Sequence, residues 1–395
     1  LISLASSPAP REHYWDTLRA FAMLLGIPYH VALCYRPGED WIVRTGEGVP
    51  GMNRLAEFIH LFRMPAFFLI AGYFAAMLLT RRAPGTWLRG RVKRLGIPFV
   101  ATILTLVPLL NLACEFSTLP YAEALRSFRD NALTSGGYWV RHLWFIIVLL
   151  YCSAIAAALV RIVPALARGH VPPRADTMVA NRLPLVLLAT ASIVGLWEGA
   201  AVEAFWDWGF ATNLYQQILR IDEFIAYLPY FALGCLLQRM PAMQARFGQL
   251  SPTVLVIAIA ATFVSMHWGG EVHPATGRFM ATFAALAWTQ VLVAAARTWF
   301  DRPSPTVRAV TEAAFVIYLF HMPIVIWLAW LGQDVPVPTW GKVIAVNLLT
   351  LALSWGAWLL IRRSGTLSLA FNGVRSPVPL HRAGTGTDAA EGPPR

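Results

Sequence analysis

Residues 16–30 read DTLRAFAMLLGIPYH. Eleven positions separate Arg19 from His30. On an α-helix the two share a face to within about 20° and lie about 16 Å apart along the axis. Asp16 falls about 40° from His30 on the same stripe. Pro28 removes the backbone bond to Leu24 and frees a carbonyl just before His30. Inside a membrane such a carbonyl is tolerated where it meets protein or a wet cavity. An imidazole at that depth suits proton relay or general-base catalysis. The purely structural account is an interfacial Arg19 and a His30 satisfied by a neighbouring helix.

A second constellation is EFIHLFRMPAFFLIAGYF, residues 57–74. Glu57, His60 and Arg63 recur every three residues and descend the segment, which Pro65 and Gly72 then loosen. At mid-depth Arg63 needs a carboxylate or substrate partner, and Glu57 is the nearest acid in sequence. The stretch RRAPGTWLRGRVKRLGIP, residues 81–98, holds six basic residues. Its i,i+3 spacing puts Arg91 and Arg94 on one face, and the guanidinium fork suits phosphate. A plain positively charged loop is the alternative account. His142 and Trp144 open one apolar run, and His321 stands in another, just before Pro323. Asp222 and Glu223 read as solvated charge at a span's rim.

The elements that must position these groups are membrane helices. The chain has 395 residues, 57% hydrophobic and only 13% charged, against about 25% charged in a soluble domain. Sixteen Trp and eleven Tyr fit aromatic belts at two interfaces. The net charge of +11 is explained by inside loops and anionic membrane lipid rather than by nucleic acid. Four scattered cysteines have no metal spacing, so no metal and no permanently bound cofactor is expected. Residues 1–10 lack the pattern of a cleavable leader, which leaves insertion to the first span.

About ten spans are predicted, at 16–36, 55–79, 95–115, 140–161, 183–200, 222–239, 252–268, 277–297, 310–331 and 341–362. Alternating them from an inside N-terminus puts 22 of the 32 Lys and Arg in inside segments, which favours both termini inside. The aromatic segment 203–217 is expected at the interface or re-entering. The reading is an all-α integral membrane protein, with one polytopic domain over 1–375 and a disordered tail over 376–395. No internal repeat is visible.

Basic residues at the inner mouth and His30, His60 and His142 in the outer half describe a conduit. Its inner end suits a phosphate-bearing donor and its outer end holds a base. An acyl-CoA satisfies that geometry. A proton-coupled transporter would also use broken helices and buried ionisable groups.

The chain resembles the membrane acyltransferase-3 family. The resemblance is carried by REHYWDTLRAFAMLLGIPYHVALCY, by EFIHLFRMPAFFLIAGYF, by RVKRLGIP and, more loosely, by HLWFIIVLLY, YLPYFALGCLL and FVIYLFHMP. It implies a single acyltransferase-3-like bundle in the bacterial inner membrane. Such an enzyme would draw succinyl-CoA from the cytoplasm as co-substrate and transfer succinyl to glucose hydroxyls of osmoregulated periplasmic glucans, a β-glucan acceptor. By the same resemblance His30 is the catalytic base, Arg19 lies beside the donor, Arg91 and Arg94 hold the CoA phosphates, and Trp144 stands near the acyl path. Glu57 replaces the Asp expected there. Glu57 or Asp16 would orient His30, with Glu57 preferred because Asp16 lies about 21 Å away along the helix. His60, Arg63, His142 and His321 are expected to touch substrate, Arg63 or His60 at the oxyanion or the succinyl carboxylate. An acetyl donor on another glycan, direct or two-step transfer, and a homo-oligomer all stay open.

Overall fold

The computed structural model describes residues 12–38, 41–43, 45, 48–208, 214–268 and 273–375. The tail from Ser376, expected to be disordered, lies outside the described residues. No strand occurs among the described residues.

The first span is two helices, α1 (Tyr14–Leu24) and α2 (Gly26–Cys34). They part at Leu25, three residues before Pro28, where the ladder loses a donor. Then come α3 (Met52–Leu79) and α4 (Pro84–Thr118), followed by α5 (Tyr121–Thr134) and the single-turn α6 (Gly136–Val140). A 3₁₀ turn, Arg141–Leu143, leads into α7 (Trp144–Ile162). The short α8 (Ala165–Arg168) and α9 (Pro173–Ala180) precede α10 (Leu183–Trp197). A π-helical segment, Glu198–Val202, carries that span on into α11 (Glu203–Asp207), so the aromatic segment begins as a continuation of the span. Next are α12 (Leu214–Leu219), α13 (Ile221–Leu237), α14 (Pro241–Phe247) and α15 (Pro252–Trp268). The chain ends in α16 (Pro274–Phe300), α17 (Pro305–Leu331), α18 (Thr339–Ile361) and α19 (Gly365–Asn372).

Proline opens α4, α9, α14, α15, α16 and α17. The first turn is where a missing N–H costs nothing. Ser304 and Ser364 cap α17 and α19 through bonds from Val307 N and Leu367 N. Among the described residues, eight helical segments are long and apolar enough to cross a membrane, or nine if α14 and α15, bent by 70°, form one span. The expected ten exceeds this by α13. That helix has 17 residues and carries Asp222 and Glu223 in its first turn, so its apolar length is cut short.

α3 runs through the middle of the bundle against α1, α2, α7, α13 and α16. At one end Trp15 of α1 stacks on Tyr73 at 4.4 Å. At the other, Tyr29 of α2 stacks on His60 at 5.8 Å. The first two spans are therefore antiparallel. α3 meets α13 at two glycines. A Cβ on Gly72 would run into the Phe231 carbonyl, and one on Gly234 into the Leu69 carbonyl. Small residues let membrane helices approach this closely. The four cysteines are unpaired and at least partly buried, as small hydrophobes.

Candidate active site

Six of the residues singled out by sequence line one cavity of about 360 Å³: His30, His60, Arg63, His142, Trp144 and His321. They come from α2, α3, the turn before α7, α7 itself and α17. Three imidazoles run in series. The rings of His30 and His321 lie 5.2 Å apart, and those of His321 and His142 lie 5.6 Å apart. His30 is 8% exposed and stacks on Trp41 at 5.2 Å.

His321 is 1% exposed, and its tautomer follows from its contacts. Nδ1 sits 2.7 Å from the Tyr318 carbonyl and 3.2 Å from the Ile317 carbonyl. A carbonyl only accepts, so Nδ1 carries the hydrogen and Nε2 the lone pair. Nε2 is buried with no hydrogen-bond partner. Gly26 leaves the space beside it open. A Cβ there would stand 3.0 Å from His321 Nε2 and 3.2 Å from Arg63 Nη1.

The guanidinium of Arg63 lies 4.5 Å over the Tyr29 ring. Its Nε is buried without a partner, and no carboxylate pairs with it among the described residues. The expected Glu57–Arg63 pair does not form. Six residues along a helix put the two about 120° apart. Glu57 pairs instead with Arg54, three residues back, at 3.2 Å, and its side chain is 51% exposed. It faces a smaller pocket that shares Tyr29 and His60 with the large cavity. Asp16 also stands away from His30. It pairs with Arg19 at 4.0 Å and faces a groove lined by His13 and Arg308. Neither acid orients the imidazole in this structure.

Arg19, Arg91 and Arg94 meet in a second cavity of about 180 Å³. Arg91 lies 5.8 Å over Trp87 with its Nε buried and unpartnered, and Arg19 lies 5.1 Å over Phe74. Met23, Phe67 and Phe145 line both cavities and form the waist between them. The Arg19–His30 stripe thus spans two chambers, one lined by arginines and the other by imidazoles.

Sequence reasoning missed Trp41, Arg141 and Arg220, and it read Glu223 as a rim charge. All four line the imidazole chamber. Arg141 Nε donates to Asn111 Oδ1 at 2.7 Å. Arg220 bonds Asp222 at 3.1 Å and Glu223 at 2.6 Å. Both arginines have positive φ, 44° and 50°; Arg220 is αL, a conformation that costs a non-glycine residue about 1–2 kcal/mol.

A helical bundle with membrane-length spans, an arginine chamber and a buried imidazole chamber defines a polytopic membrane protein built around an internal site. Residues 12–359 match the acyltransferase domain family, acyltransferase-3, and the chain belongs to it. It is a membrane acyltransferase. The chain is 29% identical over 341 residues to the glucans biosynthesis protein C of Salmonella gallinarum (strain 287/91 / NCTC 13346), covering 82% of this chain and 85% of that relative. The protein of the same name from Salmonella heidelberg (strain SL476) is 29% identical over 345 residues, with the same coverage. No solved structure matches.

Proposed function

We propose that this acyltransferase takes succinyl from succinyl-CoA on the cytoplasmic side of the bacterial inner membrane. It passes the succinyl group to a glucose hydroxyl of a periplasmic β-glucan. The glucan comes from the relatives' name, and the cytoplasmic placement of the basic end comes from the Lys and Arg distribution. One observation carries the reading: the arginine chamber and the imidazole chamber adjoin at the waist of Met23, Phe67 and Phe145.

Arg19, Arg91 and Arg94 hold the CoA phosphates, and the pantetheine arm passes the waist when those three side chains part. His30 takes the proton from the attacking hydroxyl, a form of help worth about 10²- to 10⁴-fold. The oxygen adds to the thioester carbonyl, and the tetrahedral intermediate expels CoA thiolate. The His30 imidazolium returns its proton to that sulfur, so the ester and CoA thiol leave and the imidazole is neutral again. His321 Nε2 keeps an unpartnered lone pair in the ring centred 5.2 Å from that of His30. It takes over the part first expected of Glu57, accepting from the imidazolium N–H. Arg63, permanently charged and without a carboxylate partner among the described residues, receives the succinyl carboxylate. This favours an anionic acyl group over acetyl. His60, His142 and Trp144 wall the same chamber.

The test is mass spectrometry of periplasmic glucan from cells carrying the wild type or His30→Ala. Succinyl esters are expected only with the wild type. Esters at equal abundance in both strains would remove His30 from the mechanism.

A further inference from the structure

Among the described residues, the two non-glycine positions with positive φ are Arg141 and Arg220. Both line the imidazole chamber. Arg141 follows α6 and Arg220 follows α12. These two short helices pack on each other, with Gly137 N donating to Gln217 Oε1 at 3.3 Å. Arg220, with ψ 49°, is in the αL conformation that Gly or Asn ordinarily fills after a helix, whereas Arg141, with ψ −128°, lies in a positive-φ region that belongs essentially to glycine. Arginine at both places keeps a strain that glycine would relieve, and such strain concentrates at ligand sites.

The side chains are anchored. Asn111 is fully buried and bonds the Tyr138 carbonyl at 2.7 Å through Nδ2. That fixes its Oδ1 to accept from Arg141 Nε, while the guanidinium lies 4.9 Å over the Tyr138 ring. Arg220 is forked between Asp222 and Glu223 and faces Trp144 at 5.9 Å. Arg141 has no carboxylate within ion-pair distance among the described residues, so the two arginines differ in charge balance. Together they set donor forks and a carboxylate around the chamber that Trp144, itself stacked on Tyr227 at 5.5 Å, also lines. A sugar ring matches that set. Its hydroxyls both donate and accept, so they can meet guanidinium and carboxylate alike.

We infer that Arg141, Arg220, Glu223 and Trp144 form the acceptor subsite, which grips the glycan residue that carries or neighbours the reacting hydroxyl. The inference rests on the acyl-transfer reading above and deepens it. It leaves Arg63 for the acyl group and assigns the strained pair to the sugar.

The decisive variant is Arg141→Gly, in full-length protein reconstituted in nanodiscs. Glycine accepts this backbone without a Cβ penalty, so the melting temperature is expected to stay level or rise. The KM for a β-glucan oligosaccharide is expected to rise about tenfold or more, the loss of a charged hydrogen bond, with the KM for succinyl-CoA unchanged. The dissociation constant of the oligosaccharide alone, read by tryptophan fluorescence without any acyl donor, should rise in parallel. Unchanged acceptor binding would reduce the pair to helix terminators. A raised succinyl-CoA KM with acceptor binding intact would move Arg141 to the acyl group. Either result overturns the inference. Should wild type transfer no acyl group at all, the function proposed above fails, and the fluorescence titration still decides whether a glycan binds at Arg141.

Discussion

Replacing Gly72 with alanine tests whether the chamber depends on how closely two helices approach. Gly72 of α3 faces the backbone carbonyl of Phe231 on α13, and Gly234 returns the contact to the Leu69 carbonyl. A backbone oxygen cannot rotate aside as a side chain can. A real Cβ essentially never lies within 3.0 Å of another heavy atom, so α3 has to retreat from α13 by about 1 Å, a displacement that near reacting atoms costs about 100-fold. Overpacking itself costs about 1–3 kcal/mol. The retreat carries His60 and Arg63 on one helix away from Glu223 on the other, and it opens the stack of Phe68 on Tyr227, now 4.9 Å. The assay is CoA release from succinyl-CoA with a glucan acceptor, alongside thermal unfolding of the same preparation. Gly90→Ala is the control, because a Cβ there meets nothing within 4 Å and alanine favours a helix by up to about 1 kcal/mol. A Gly72→Ala protein that unfolds and turns over like wild type would refute the claim that this crossing sets the chamber.

Arg63→Gln removes the charge assigned to the succinyl carboxylate. Competition between succinyl-CoA and acetyl-CoA should then show the succinyl preference falling by about 10- to 100-fold, and an unchanged ratio would reassign Arg63. Met23→Phe fills the waist from α1. Binding of CoA at the arginine chamber should survive while transfer is lost; continued transfer would mean the acyl arm takes another route. Glu57→Gln should leave turnover within about threefold, because its exposed pair with Arg54 is worth under about 1 kcal/mol.

Helical geometry was enough to pick out several residues that line the candidate site. Spacings of three and eleven singled out His30, His60 and Arg63, and the structure gathers them with His142 and His321 around one chamber. The basic stretch before the third span could be read the same way, since Arg91 and Arg94 need only share a face. What escaped was everything set by contacts between elements. Nearness in sequence suggested Glu57 for Arg63, yet the helix turns them apart. The hydrogen on His321 is fixed by carbonyls of its own preceding turn, and residue order reveals it only once the ring's rotamer is known. Arg141 and Arg220 are about 80 positions apart. A positive φ at arginine leaves no trace in composition, so neither was singled out.

A membrane catalyst open to water on both sides would drain the gradient that its membrane maintains. Each proton crossing about 100 mV dissipates about 2.3 kcal/mol. Three imidazoles in a row would be a ready wire for protons. The wire stops at a thioether and two phenyl rings, Met23, Phe67 and Phe145, none of which ionises. On the route proposed above, the plug that an acyl arm would push aside also interrupts the imidazole wire in the resting enzyme.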